Sequence, residues 1–182
     1  MNAVLVSSLI AAGAGLLASP ASAGLSGTSM TLRYDYSSWT PTVDSLIVGP
    51  GVEITCTGGG NGNANVCQLL NAGVHTVDIG DDGIAYALTS GTAAFTAVSP
   101  NGFNFLNLAI PIAGITFTHS IAGMDSSRVS FTSSSISVDM SGLVVEAGQG
   151  FALGVVAVPE PASAWLMLAG AAALGAWVLR RR

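Results

Sequence analysis

From Ala162 to Leu179 the chain runs for 18 residues without a charge, and Arg180, Arg181 and Arg182 follow directly. Within a bilayer every peptide group must find its partner inside its own segment, which a single span can do only as a helix. At 1.5 Å per residue that helix is about 27 Å long, enough to cross the hydrocarbon with little tilt. Trp165 and Trp177 stand near its ends, where indole rings favour the headgroup boundary. The three arginines set the orientation, with the carboxyl terminus in the cytoplasm and everything before Ala162 outside. A buried core helix is the competing reading, and apolarity on all faces together with the arginine stop argues against it.

On the outer side of this helix sits Val158-Pro159-Glu160-Pro161-Ala162-Ser163. Each proline fixes its own φ and pushes the preceding residue toward extended geometry, so the peptide is short, stiff and strand-like. Processing enzymes bind substrates in that shape. The order of Pro-Glu-Pro, apolar helix and arginine cluster resembles the PEP-CTERM sorting signal at the end of exported proteins. The resemblance implies recognition by an exosortase, an integral-membrane cysteine protease or transpeptidase thought to cut near the motif and release or transfer the preceding domain. It also implies a Gram-negative envelope and association with exopolysaccharide. Pro159, Glu160 and Pro161 are then a processing site, with Arg180, Arg181 and Arg182 as the membrane stop.

The other end agrees with export. Ala3 to Ala18 is an apolar run, followed by Pro20 and the small residues Ala21-Ser22-Ala23. This predicts a secretory signal peptide over 1–23, cut by signal peptidase after Ala23, with Ala21 and Ala23 as the small residues at the cut. No Lys or Arg precedes the run, a gap that a start upstream of Met1 would fill. No cysteine at the cut suggests a lipid-modified amino terminus. The expected route is an inner-membrane intermediate with its domain outside the cytoplasm, and finally the cell surface or the medium.

That leaves residues 24–157 for one ordinary domain and 158–182 for the sorting tail, since a single core needs roughly 100 to 150 residues. Arg33 and Arg128 face Asp35, Asp44, Glu53, Asp78, Asp81, Asp82, Asp125, Asp139 and Glu146, and the chain has no lysine. Such a surface repels phosphate backbones, so nucleic acid is a poor partner.

Within residues 24–157 the apolar pattern has period two. Met30, Leu32, Tyr34 and Tyr36 alternate with Thr31, Arg33 and Asp35; Val52, Ile54 and Cys56, then Ile84, Tyr86 and Leu88, then Ile136, Val138 and Met140 repeat the theme. Further runs at Val74 to Ile79, Phe103 to Ile110, Ile115 to His119, Val129 to Phe131 and Phe151 to Val155 bring the expectation to about nine or ten strands. Phe103 and Phe105 differ in parity from Leu106, Leu108 and Ile110, which predicts a bulge or a change of sheet near Leu106. No segment carries a helical period. The fold class expected is an all-β ectodomain, an antiparallel, jelly-roll-like β-sandwich, followed by the transmembrane helix. The ordered segments Val48 to Glu53, Val77 to Gly80, Asn101 to Phe103 and Ser137 to Leu143 resemble the ectodomain of many PEP-CTERM proteins of unassigned activity.

Candidate chemistry is sparse. Cys56 and Cys67 enclose a Gly- and Asn-rich loop, and export places them where a disulfide can persist. Asp78, Asp81 and Asp82 surround a glycine turn and could hold a hard cation such as calcium through oxygen ligands; Asp and Gly also build tight hairpins for conformational reasons alone. His75 and His119 share parity with apolar neighbours and are expected inside or at a sheet rim. No Gly-x-Ser-x-Gly elbow, His-Glu-x-x-His or phosphate loop occurs. The expected function is a surface or extracellular-matrix protein without catalysis or cofactor. The alternative is an exopolysaccharide-binding module using Trp39 and Tyr36, assisted by calcium at Asp81 and Asp82. A hydrolase would need a Ser, His and Asp cluster that sequence order cannot reveal.

Overall fold

Short runs with one apolar face each can bury that face only by pairing side by side and packing against a second sheet. The computed structural model describes residues 24–158; the expected signal peptide, the Pro159 to Pro161 motif, the membrane helix and the terminal arginines lie outside the described residues. The strands are β1 (Ser29–Tyr36), β2 (Thr42–Ile47), β3 (Val52–Gly58), β4 (Asn61–Gly62), β5 (Val74–Ile79), β6 (Gly83–Ser90), β7 (Thr92–Ala94), β8 (Asn101–Leu106), β9 (Ile112–His119), β10 (Val129–Phe131), β11 (Ile136–Asp139), β12 (Val144–Glu146) and β13 (Gly150–Ala157). The only helical pieces among the described residues are 3-10 turns at Asn65–Gln68 and Ser126–Arg128, and none is long and apolar enough to cross a membrane.

One sheet has the order β10-β11-β8-β1-β2 and the other β4-β3-β5-β6-β13-β9, with β12 and β7 forming a separate ribbon. The pairings are antiparallel. Register turns the sequence alternation into rows of side chains. On the five-stranded sheet Tyr34 lies opposite Phe103, and Phe103 opposite Val138. On the six-stranded sheet Val77 lies opposite Tyr86, and Tyr86 opposite Phe151. The rows meet in the middle: the Phe103 ring is 5.1 Å from Tyr86 and 6.2 Å from Phe151, and 5.0 Å from Tyr34 of its own sheet. These contacts close a β-sandwich around one apolar cluster. Each large side chain fully buried there contributes about 1.5–3 kcal/mol of transfer free energy.

The structure departs from the sequence expectation where side-chain parity was ambiguous. β8 stops at Leu106 without a bulge, and the expected change of sheet comes in the connection after it, before β9 begins at Ile112. Asn107 takes a left-handed φ of 58°, and the Leu108 N–H donates to the Ser134 carbonyl at 3.0 Å. Leu108 and Ile110 are buried from irregular backbone, so their parity carries no strand register. Val52, expected inward, is half-exposed because the β3–β5 register shifts between Val52 and Ile54. β2, β4, β7 and β12 were not expected, being short or weakly apolar.

Cys56 and Cys67 are joined in a disulfide with Cα atoms 5.1 Å apart, and both are fully buried. Two polar side chains hold the enclosed loop. Asp44 of β2 accepts from the Asn65 and Val66 N–H groups at 2.7 and 2.8 Å, satisfying donors that open the 3-10 turn. The Asn63 amide accepts from Thr55 N–H and donates to the Glu53 carbonyl, each at 2.8 Å, imitating a neighbouring strand along β3.

Candidate functional site

The end of β1 and the start of β8 lie at the same pole of the sandwich, where the Tyr36–Trp39 pair meets solvent. After Tyr36 the chain turns sharply: Ser37 has φ 49°, its N–H donates to the Pro100 carbonyl at 2.6 Å, and Trp39 N–H donates back to Tyr36 carbonyl at 3.0 Å. The turn leaves Trp39 64% exposed, edge-on to Tyr36 with ring centroids 5.9 Å apart. Facing these rings across a cleft of about 270 Å³ are Gln68, Asn71 and Thr96, with Asn101 and His75 toward the floor. The lining contains no carboxylate, arginine or lysine, in a chain whose net charge is −5.

The floor is polar and internally satisfied. Asn101 accepts from the Tyr34 hydroxyl at 2.6 Å and donates to the Thr96 carbonyl at 2.8 Å. His75 is buried between the Ala72 carbonyl, 2.7 Å from Nε2, and the Tyr86 hydroxyl, 2.9 Å from Nδ1. A carbonyl can only accept, so Nε2 carries the proton and Nδ1 accepts from the phenol. Burial lowers the His75 pKa, outweighing the Ala72 hydrogen bond that works the other way. Burial also raises the Tyr86 and Tyr34 phenols, Tyr34 further through the neighbouring charges of Tyr86, Tyr36 and Asp139. With both ring nitrogens engaged, His75 has no lone pair aimed into the cleft.

His119 takes the second of the two places expected for the histidines, the rim of a sheet. It is exposed at the end of β9, stacked on Phe117 at 5.3 Å, with Nδ1 3.3 Å from the Ile121 carbonyl. It shares the parity of Ile115 and Phe117 but closes β9, the edge strand of its sheet, which leaves the ring exposed. The nearby Ser127 hydroxyl donates to Asp125 rather than to a histidine. Those Ser127 hydroxyl and N–H bonds, with smaller help from Arg128 and His119, lower the Asp125 carboxyl pKa.

Asp78, Asp81 and Asp82 are not brought together. Among the described residues no three His, Cys, Asp or Glu side chains gather into a metal site. Asp78 and Asp82 border a shallow depression on the outer face of the six-stranded sheet, whereas the Asp81 carboxylate turns toward Ser26, whose N–H it accepts at 3.3 Å. The segment forms the β5–β6 hairpin, closed by Gly80 N–H on the Gly83 carbonyl at 2.8 Å. Conformational demand accounts for its Asp and Gly residues.

Gln68, Asn71, Thr96 and Asn101 had no signal in the sequence, because they reach the cleft from three separate stretches of chain with no common spacing. The last described residues do bear on the sequence motif. β13 pairs with β9 through Ala157 opposite Ile112, and Val158 N–H donates to the Pro111 carbonyl at 2.8 Å, so the ordered sandwich runs up to Pro159. No curated protein and no solved structure matches the chain. A family model does, over residues 157–182: the PEP-CTERM protein-sorting motif. The chain thus carries a PEP-CTERM protein-sorting motif, placed directly behind the last strand of a β-sandwich.

Proposed function

We infer that this is an exported surface or extracellular-matrix protein without catalysis of its own, delivered by its tail. Residues 162–179 hold it in the inner membrane as a helix, the sandwich stands outside the cytoplasm, and an exosortase cuts at or near Pro159-Glu160-Pro161 for release or transfer to the cell surface. The match at 157–182 carries this reading. Supporting it, Ser127 is bonded to Asp125 and His75 is occupied on both nitrogens, so neither histidine holds a serine hydroxyl among the described residues. The jelly-roll-like reading of the sandwich draws support from five crossings between the sheets, at β2–β3, β6–β8, β8–β9, β9–β10 and β11–β13. Cell fractionation tests the delivery: Pro159→Ala with Pro161→Ala should strand the protein in the inner membrane. Normal delivery of that variant would overturn the reading.

A second reading is favoured by the Trp39 cleft. An exposed indole offers a negative π-face to the C–H groups of a sugar ring, and the uncharged Gln68, Asn71 and Thr96 side chains suit neutral hydroxyls. The cleft lies near the start of β5 and the end of β1, the pole opposite to the one where β13 hands over to the tail. A polysaccharide of the envelope could therefore be bound while the tail is still anchored. Retention on an array of neutral polysaccharides, lost in Trp39→Ala, is the expected result; no retention on any would remove this reading. A melting temperature unmoved by calcium would remove calcium from it.

A further inference from the structure

The amino-terminal residues that would follow signal-peptide cleavage do not dangle. Leu25 is fully buried in the core, and its N–H donates to the Asp81 carbonyl at 2.8 Å. Gly27 N–H donates to the Val48 carbonyl at 2.9 Å, and Thr28 N–H to the Leu25 carbonyl at 3.0 Å, so the segment is fastened before β1 begins. Gly24 is pressed against the side chain of Asp81. A Cβ at position 24 would overlap Asp81 Oδ1. Since a Cβ is about 2.5 Å from its own nitrogen, the Gly24 nitrogen lies within about 4.2 Å of that oxygen, inside the range of a charge pair.

The electrostatics around this point have one sign. The charged groups of the β5–β6 turn are Asp78, Asp81 and Asp82, and Glu53 joins them by accepting from Ile79 N–H at 2.7 Å. Among the described residues the arginines pair elsewhere, Arg33 with Asp35 and Arg128 with Asp139. An acidic turn that grips the chain two residues after the expected cut lacks only a cation.

We propose that removal of residues 1–23 supplies that cation: the Gly24 nitrogen, an uncharged amide in the precursor, becomes an ammonium that pairs with Asp81. Hydrolysis of the Ala23–Gly24 bond consumes one water, leaves a carboxylate on Ala23 and an amine on Gly24. With an α-amino pKa of about 7.7–8.0 the amine takes up a proton at neutral pH. The β5–β6 turn is then the receptor for the processed amino terminus. The same turn holds the other end of the domain, because the Asp82 carbonyl accepts from Val155 N–H of β13 at 2.7 Å. Processing at the amino end thus fastens the pole from which the sorting tail departs. Because Leu25 is a core residue, the cut must precede its docking, and the ion pair forms only in the processed chain.

This rests on cleavage after Ala23, and the test separates the two. The chain has no lysine, so its α-amino group is the only primary amine. Reductive methylation of the exported protein with carbon-13 formaldehyde labels that group alone, and an NMR titration reads its pKa. Mass spectrometry first identifies the terminal residue. The expected result is a chain beginning at Gly24 whose amine pKa lies roughly half a unit to one unit above the ordinary range, a modest shift because Asp81 is exposed. Asp81→Asn should return it to that range while Asp82→Asn leaves most of the shift. A mature chain beginning at another residue overturns the cleavage reading and the ion pair with it. A chain beginning at Gly24 with an ordinary amine pKa in the wild-type protein overturns the ion pair alone.

Discussion

Truncating Phe103 to alanine tests whether the two sheets meet as described. The ring is fully buried and is approached from both layers, by Tyr34 and Phe105 of its own sheet and by Tyr86 and Phe151 of the other. Phe-to-Ala changes in a packed core cost about 3–5 kcal/mol, because the lost transfer energy is joined by that of an unfilled cavity. The upper half of that range is expected here, since four aromatic neighbours cannot all close on the space. Domains of this kind are stable by about 5–15 kcal/mol, so the variant should still fold. At a urea m-value of about 2 kcal/mol per molar, the midpoint should fall by about 2 M with m unchanged. Phe103→Leu, which keeps most of the volume, should cost less than half as much. A Phe103→Ala loss below about 1 kcal/mol would show that the rows of the two sheets do not interlock there.

The same urea assay serves the disulfide. With Cys56 and Cys67 separated by 11 in sequence, chain entropy assigns the bridge about 3 kcal/mol, which the double change to alanine should remove; a loss under 1 kcal/mol would contradict it. Asp44→Ala orphans the Asn65 and Val66 N–H groups and should cost about 2–3 kcal/mol, with early loss of exchange protection at Val66; unchanged protection would refute the role given to Asp44. Stability should also depend on His75. Burial lowers its pKa below the unfolded value of about 6.5, so the contribution of the neutral ring is complete above that pH and is lost as pH falls through the lower folded value. The decline just below pH 6.5 should flatten in His75→Leu, and an unaltered slope would mean that His75 is not the group responsible.

Much of the sandwich was legible because alternation and burial coincide in long strands. Met30, Leu32 and Tyr34, or Ile84, Tyr86 and Leu88, announce an inner face, and all six are buried. Legibility failed where burial came without a strand, as at Leu108 and Ile110. The disulfide was readable from compartment and spacing. The Trp39 cleft was only half readable: an exposed aromatic pair can be suspected, but its amide wall depends on which loops a register brings to one pole. The aspartates of the β5–β6 turn misled because carboxylates beside glycine look alike whether they converge on a cation or serve a turn. Only their directions separate the cases, and Asp81 faces Gly24 and Ser26.

Delivery by the tail is tested most directly by the intact mass of the wild-type protein recovered from its final location. The expected mass ends at or near Pro159 to Pro161 and lacks Arg180, Arg181 and Arg182. Material at that location still carrying Arg182 would contradict the account.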